Sequence, residues 1–194
     1  MSTRPARRSS TAFLLSCAAL AVAGALLGTA NRFVQAAALV LAPHALALFL
    51  PVAVLAPSIA LHLLRRPGAG LLTAFLASLV ALPFSPSGAG VFQAVGSVLV
   101  GLLLEAPFAV VRYRRFSWWG SVLGALLVGA LLCGIHWSLW GMSRMLPIPA
   151  AVMVVLVVAG AIGWALAGLA IGRRLWALGL ARQATHVREE DAAR

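Results

Sequence analysis

The chain has 194 residues, of which 62% are hydrophobic and only 10% charged. Soluble domains run at about 45–50% apolar and about 25% charged, and they must cover themselves with polar surface. Apolar runs of about twenty residues recur along the whole chain, which excludes a soluble fold and reads as an all-α polytopic membrane protein. Fifteen arginines, no lysine and four acids give a formal net charge of +11. The arginines fall in short clusters between apolar runs, so the charge bears on topology rather than on a nucleic-acid partner.

In chain order, Arg4, Arg7 and Arg8 precede an apolar run from Thr11 to Ala30. Leu14-Leu15-Ser16-Cys17 has the look of a lipoprotein cleavage box. Too few apolar residues separate Arg8 from Cys17 for a signal-peptide core of about 7–15 residues, so the run reads as a retained first helix. The predicted spans are 11–30, 34–64, 69–84, 90–111, 117–140 and 148–172. As a straight helix the second would reach about 46 Å, against a hydrocarbon core of about 30 Å. Pro43, Pro51 and Pro57 interrupt it. One broken traverse with an irregular lead-in buried in protein satisfies the backbone better than two short spans.

With six traverses and a cytoplasmic N-terminus, thirteen arginines fall inside and only Arg32 and Arg144 outside. The positive-inside rule favours that arrangement. The expectation is six transmembrane helices in a cell membrane, with both termini cytoplasmic. A segment 1–10 precedes a membrane domain 11–180, and a polar tail 181–194 follows, carrying Glu189, Glu190 and Asp191. Trp118, Trp119 and Trp176 read as an anchoring belt at the inner interface, with Trp137 and Trp140 at the opposite end.

The chain has no CxxC, no HExxH and no GxxxxGK[ST] phosphate loop, and Cys17 and Cys133 both lie within apolar runs. No metal, no cofactor and no catalytic activity are expected. The one intramembrane acid is Glu105, beside Pro107, and a carboxylate next to a loosened helix can line a ligand cavity. The alternative is a Glu paired with His or Arg of a neighbouring helix, which its place in the inner half of its span somewhat favours. His136, flanked by Trp137 and close to Trp140, offers a polar tip between π faces. Asn31, Arg32 and Gln35 cluster at the expected first extracellular turn, and Gln93 sits near the outer start of the fourth span. Each alone is commonly a solvated loop end; their convergence on one side favours binding. His44 and His62 read as core or interface residues. Small residues recur at four-residue spacing, as in Ala19 and Ala23, Ala21 and Ala25, Gly24 and Gly28, and Gly168 and Gly172. Such rows serve helix packing or the docking of a partner equally well.

The stretches Leu64-Arg65-Arg66-Pro67-Gly68-Ala69-Gly70-Leu71-Leu72-Thr73 and Leu102-Leu103-Leu104-Glu105-Ala106-Pro107-Phe108, the latter running into Tyr113, carry a likeness. The chain resembles the substrate-binding S components of energy-coupling factor (ECF) vitamin transporters, nearest to the YkoE type. The resemblance implies capture of thiamine or its hydroxymethylpyrimidine precursor from outside. It also implies partnership with a coupling transmembrane subunit and two ABC ATPases. It would make Ala19 and Ala23 a docking face and Glu105 the carboxylate that holds the aminopyrimidine. His136, Trp137 and Trp140 would lie in the region of ring stacking; Asn31 and Gln93, from their place on the outer side, are further expected substrate contacts. A single carboxylate suits a neutral pyrimidine better than cationic thiamine. The alternative is a non-transporting membrane scaffold in which Glu105 and the outer aromatics serve packing.

Overall fold

Proline placement sets the first helix boundaries. The computed structural model describes residues 11–41, 43–84, 90–113, 116–139 and 146–179. Helix α1 (Thr11–Leu41) does not stop at residue 30 as expected but continues until just before Pro43. Nothing in the Asn31-Arg32 backbone breaks a helix, and both side chains find partners within the bundle. At 31 residues α1 is about 46 Å long, longer than the hydrocarbon core of about 30 Å. The expected extracellular turn is therefore part of a helix.

Residues 34–41 of the expected span 34–64 belong to α1, and of its three prolines Pro57 lies within a helix, whereas the break expected at Pro51 is present. Helix α2 (Pro43–Phe49) leads through a 3₁₀ turn (Leu50–Val54) into α3 (Leu55–Leu64). Pro51 stands at φ −85°, ψ 18°, outside helical geometry. Carbonyls at the break are taken by side chains of other helices. Trp164 Nε1 donates to the Leu48 carbonyl at 2.9 Å, and Asn31 Nδ2 donates to that of Phe49 at 2.9 Å. Gln35 Nε2 donates to the same Phe49 oxygen at 3.3 Å. In the most apolar stretch of His44–Leu64, 72% of the residues are buried, against 28% or less in the other long apolar helices. The irregular backbone thus lies wrapped in protein, where a membrane tolerates it.

The remaining helices are α4 (Ala69–Ala81), α5 (Gly90–Val110), α6 (Trp118–Leu139) and α7 (Pro147–Ala177). Among the described residues, five helical stretches are long and apolar enough to cross a membrane, and Ala69–Phe84 adds a shorter apolar one. The protein is an all-helical, multi-pass membrane protein. The described core centres on Val54, Leu61, Leu104, Phe108, Val128 and Ala161. Small residues let the helices approach. A Cβ on Gly168 would fall 2.5 Å from Ser58 Cβ, and one on Gly124 would fall 3.0 Å from the Leu104 carbonyl oxygen. In lipid, where tails are as apolar as leucine, such van der Waals packing is what holds helices together. Ala21 and Ala25 face inward and are buried, whereas Ala19 and Ala23 lie on the exposed face of α1.

The C-terminal ends of α3, α5 and α7 bring Arg65, Arg66, Arg112, Arg173 and Arg174 to one end of the bundle. There the Arg65 guanidinium sits 4.3 Å from the centre of the Trp176 ring. Arg32 marks the other end.

Candidate functional site

A cavity of about 500 Å³ lies between α1, the broken segment, α4 and α5, toward the arginine-poor end. That volume is in the range of small-molecule sites, about 300–1,000 Å³. Its apolar part is thin-walled: Gly24, Gly28, Ala53, Ala56, Ala74 and Ala77 all line it. Its polar part comes from two helices. Asn31, Arg32 and Gln35 lie on one face of α1 at i, i+1 and i+4, and Gln93 and Ser97 lie four apart on α5.

Hydrogen bonds orient these groups. Arg32 donates to the Phe84 carbonyl at 2.7 Å and to Gln93 Oε1 at 2.6 Å, tying α1 to the end of the fourth helix and the start of the fifth. Since Asn31 and Gln35 give amide N–H groups to Phe49, their amide oxygens remain acceptors. Thr29 and Ser78 donate to carbonyls of their own helices at 2.9 and 2.6 Å. The cavity therefore offers a fixed guanidinium, amide donors and acceptors, and a narrow apolar slot.

Asn31 and Gln93, expected at the site, line this cavity. Glu105, His136 and Trp137 do not. Glu105 is buried at the arginine-rich end, where its Oε1 accepts from the Gly70 amide at 2.6 Å and the Leu71 amide at 3.1 Å. Its Oε2 accepts from the Gly68 amide and the Tyr113 hydroxyl, both at 3.0 Å. A carboxylate from α5 thus caps the N-terminus of α4, whose own N-cap is a glycine at φ 82° with no side chain to do it. The neighbouring turns are strained: Arg65, Arg112 and Tyr113 all take positive φ. Burial, followed by the Glu105 charge and hydrogen bond, pushes the Tyr113 hydroxyl up to about 12.

His136 donates from Nδ1 to the Leu132 carbonyl of its own helix at 2.7 Å, and Trp137 is 49% exposed on the outer surface of the bundle. Trp140, the segment 1–10 and the tail 181–194 lie outside the described residues. His62 is buried, with Nδ1 on the Ser58 carbonyl at 2.9 Å and Ser121 Oγ 3.0 Å from Nε2. Cys17 and Cys133 are both unpaired. Among the described residues no group of three or more His, Cys, Asp or Glu could hold a metal ion.

Arg32 and Gln35, which converge with Asn31 in the sequence, line the cavity beside it, Gly28 lines it as well as serving helix packing, and Ser97 was not expected there. The signal was the i, i+4 spacing of polar residues inside long apolar helices.

No curated protein matches the sequence. A solved structure described as an S-component of an ECF transporter superposes with a TM-score of 0.77 at 20% identity, covering 95% of this chain and 98% of its own. At that identity the likeness establishes the fold. The family of ABC-type cobalt transport system permease components matches residues 14–131, more than half of the chain. With the helical bundle and its internal cavity, this match makes the protein a transport subunit, a member of the ABC-type cobalt transport system permease component family.

Proposed function

We propose that this protein is the substrate-binding S subunit of an ECF-type ABC importer, capturing a thiamine-related pyrimidine in the cavity between α1, α4, α5 and the broken helix. The carrying observation is the position of that cavity: it lies at the end of the bundle remote from Arg65, Arg66, Arg112, Arg173 and Arg174. Under the positive-inside rule that end faces outward, and both termini of a six-helix chain are cytoplasmic in the bacterial cell membrane. Asn31 and Gln93 contact the substrate, joined by Arg32, Gln35 and Ser97. The exposed face of α1 around Ala19 and Ala23 docks the coupling transmembrane subunit, which works with two ABC ATPases. His136 and Trp137 serve packing and anchoring, and Glu105 holds α4 in place.

Neutral hydroxymethylpyrimidine fits this lining better than thiamine, because its ring nitrogens and amino group match amide donors and acceptors without demanding a carboxylate. The test is titration of detergent-purified protein with hydroxymethylpyrimidine and with thiamine, followed by tryptophan fluorescence. Saturable binding is expected, weakened at least about tenfold by Asn31→Leu or Gln93→Leu, a loss of about 1.4 kcal/mol or more. Failure of both compounds to bind would sink the reading.

A further inference from the structure

Among the described residues, the lining of the cavity contains one charged residue, Arg32, and no carboxylate. Of the four acids in the chain, Glu105 is at the opposite end of the bundle and the other three lie at 189–191. We infer that Arg32 makes the cavity a charge filter, admitting neutral or anionic hydrogen-bonding rings and rejecting cations, including the cobalt ion of the family's description. The inference rests on the reading of this cavity as the capture site, and it adds the class of ligand that the site accepts.

Three observations support it. First, an arginine carries its charge at every working pH, so the filter is permanent. Second, that charge is held in place. The bonds to the Phe84 carbonyl and to Gln93 Oε1 come from two different nitrogens of the guanidinium and anchor it between three elements. A charge so anchored cannot swing into solvent when a cation enters, as a free side chain would. Third, part of the wall is apolar: Ala25, Val52, Ala56 and Val100 share the lining, so like-charge repulsion is screened less there than in bulk water.

A transition-metal ion fares worse than an organic cation. It is held most strongly by imidazole, thiolate, thioether or carboxylate ligands. Among the described residues, the lining holds no His, Cys, Met, Asp or Glu. Amide oxygens and hydroxyls beside a fixed guanidinium are no substitute. A carboxylate, by contrast, is attracted by the fixed positive charge.

An isosteric series separates charge from shape: hydroxymethylpyrimidine, its aminomethyl analogue (cationic at neutral pH) and its carboxylate analogue. Binding to the purified wild-type chain is measured calorimetrically for all three and for cobalt chloride. The carboxylate is expected to bind at least as tightly as the alcohol, and the aminomethyl compound at least about tenfold more weakly, from like-charge repulsion inside the cavity. Cobalt should show no saturable binding. Arg32→Gln should flatten the order, while Arg32→Lys should preserve it. Should Arg32→Gln not fold, loss of the order in Arg32→Lys would by itself overturn the assignment to charge. Equal binding of the cationic and neutral analogues, or saturable cobalt binding, overturns the filter and leaves small-molecule capture standing. If none of the three pyrimidines binds, the filter and the capture site fail together.

Discussion

The Glu105 carboxylate accepts a 2.6 Å hydrogen bond from the backbone amide of Gly70, thirty-five residues away and on a different helix. It is the shortest of four bonds that the carboxylate receives, and it joins α5 to the first turn of α4. The one acid within the apolar part of the chain is therefore spent on closing a helix end. The carboxylate also faces the positive end of the α4 dipole, which is where an anion belongs.

Removing that carboxylate should cost stability more than ligand affinity. Hydrogen bonds to a charged group contribute about 1.5–3 kcal/mol each, so Glu105→Ala should lose about 3 kcal/mol or more. Glu105→Gln keeps the shape but turns an N–H group toward amides that also donate, and should lose nearly as much. Thermal unfolding in detergent measures the loss. Hydroxymethylpyrimidine titration of the folded fraction should show less than about a threefold change, since the site is at the other end. A large loss of binding with unchanged stability would assign Glu105 to the substrate.

Tyr113 is the sole tyrosine of the chain, so tyrosinate absorbance reports it alone. Its hydroxyl is expected to titrate near 12 in the folded protein, above its ordinary value of 10.0. With the folded value raised, its contribution to stability is fully present below pH 10 and is lost as the pH rises through about 12. Glu105→Gln should bring the midpoint down, though not to 10.0, because burial is the leading cause of the shift. An unchanged midpoint would show that Glu105 and Tyr113 do not interact in solution.

Gly28 lines the cavity, and a Cβ built on it meets no neighbouring atom within 4 Å. Gly28→Leu should therefore fill the cavity without forcing α1 from its neighbours. Exchanging a helical glycine for leucine also favours the helix by about 0.5–1 kcal/mol. The expected outcome is a protein of equal or higher melting temperature that has lost at least about tenfold in pyrimidine affinity. Undiminished binding by this variant would move the site elsewhere.

Gly168 makes the opposite case, since a Cβ there would stand 2.5 Å from Ser58 Cβ and 3.0 Å from the Leu55 carbonyl oxygen. Gly168→Ala should push α7 away from the broken segment at a cost of about 1–3 kcal/mol. Gly163, on the same helix with nothing within 4 Å, provides the control: Gly163→Ala should be neutral or slightly stabilising. Equal melting temperatures for the two variants would show that α7 does not pack as closely as described.

Membrane residence, the helical class and the break near Pro51 were legible in the sequence because each follows from local chemistry. About twenty apolar residues can only span or be buried, and a proline removes a donor wherever the chain goes. The arginine clusters likewise declared two unlike ends. The extent of α1 was not legible, because Asn31, Arg32 and Gln35 read as a solvated turn until the carbonyls of Phe49 and Phe84 are brought beside them. The same residues show what tertiary structure alone decides. Whether an intramembrane polar group meets a ligand or a backbone depends on which helix lies opposite, and sequence spacing does not encode that. Glu105 and Asn31 looked like members of one site. Packing sent the first to a helix end and the second to a cavity wall, because each buried polar group must be satisfied by whatever donor or acceptor the neighbouring helix presents.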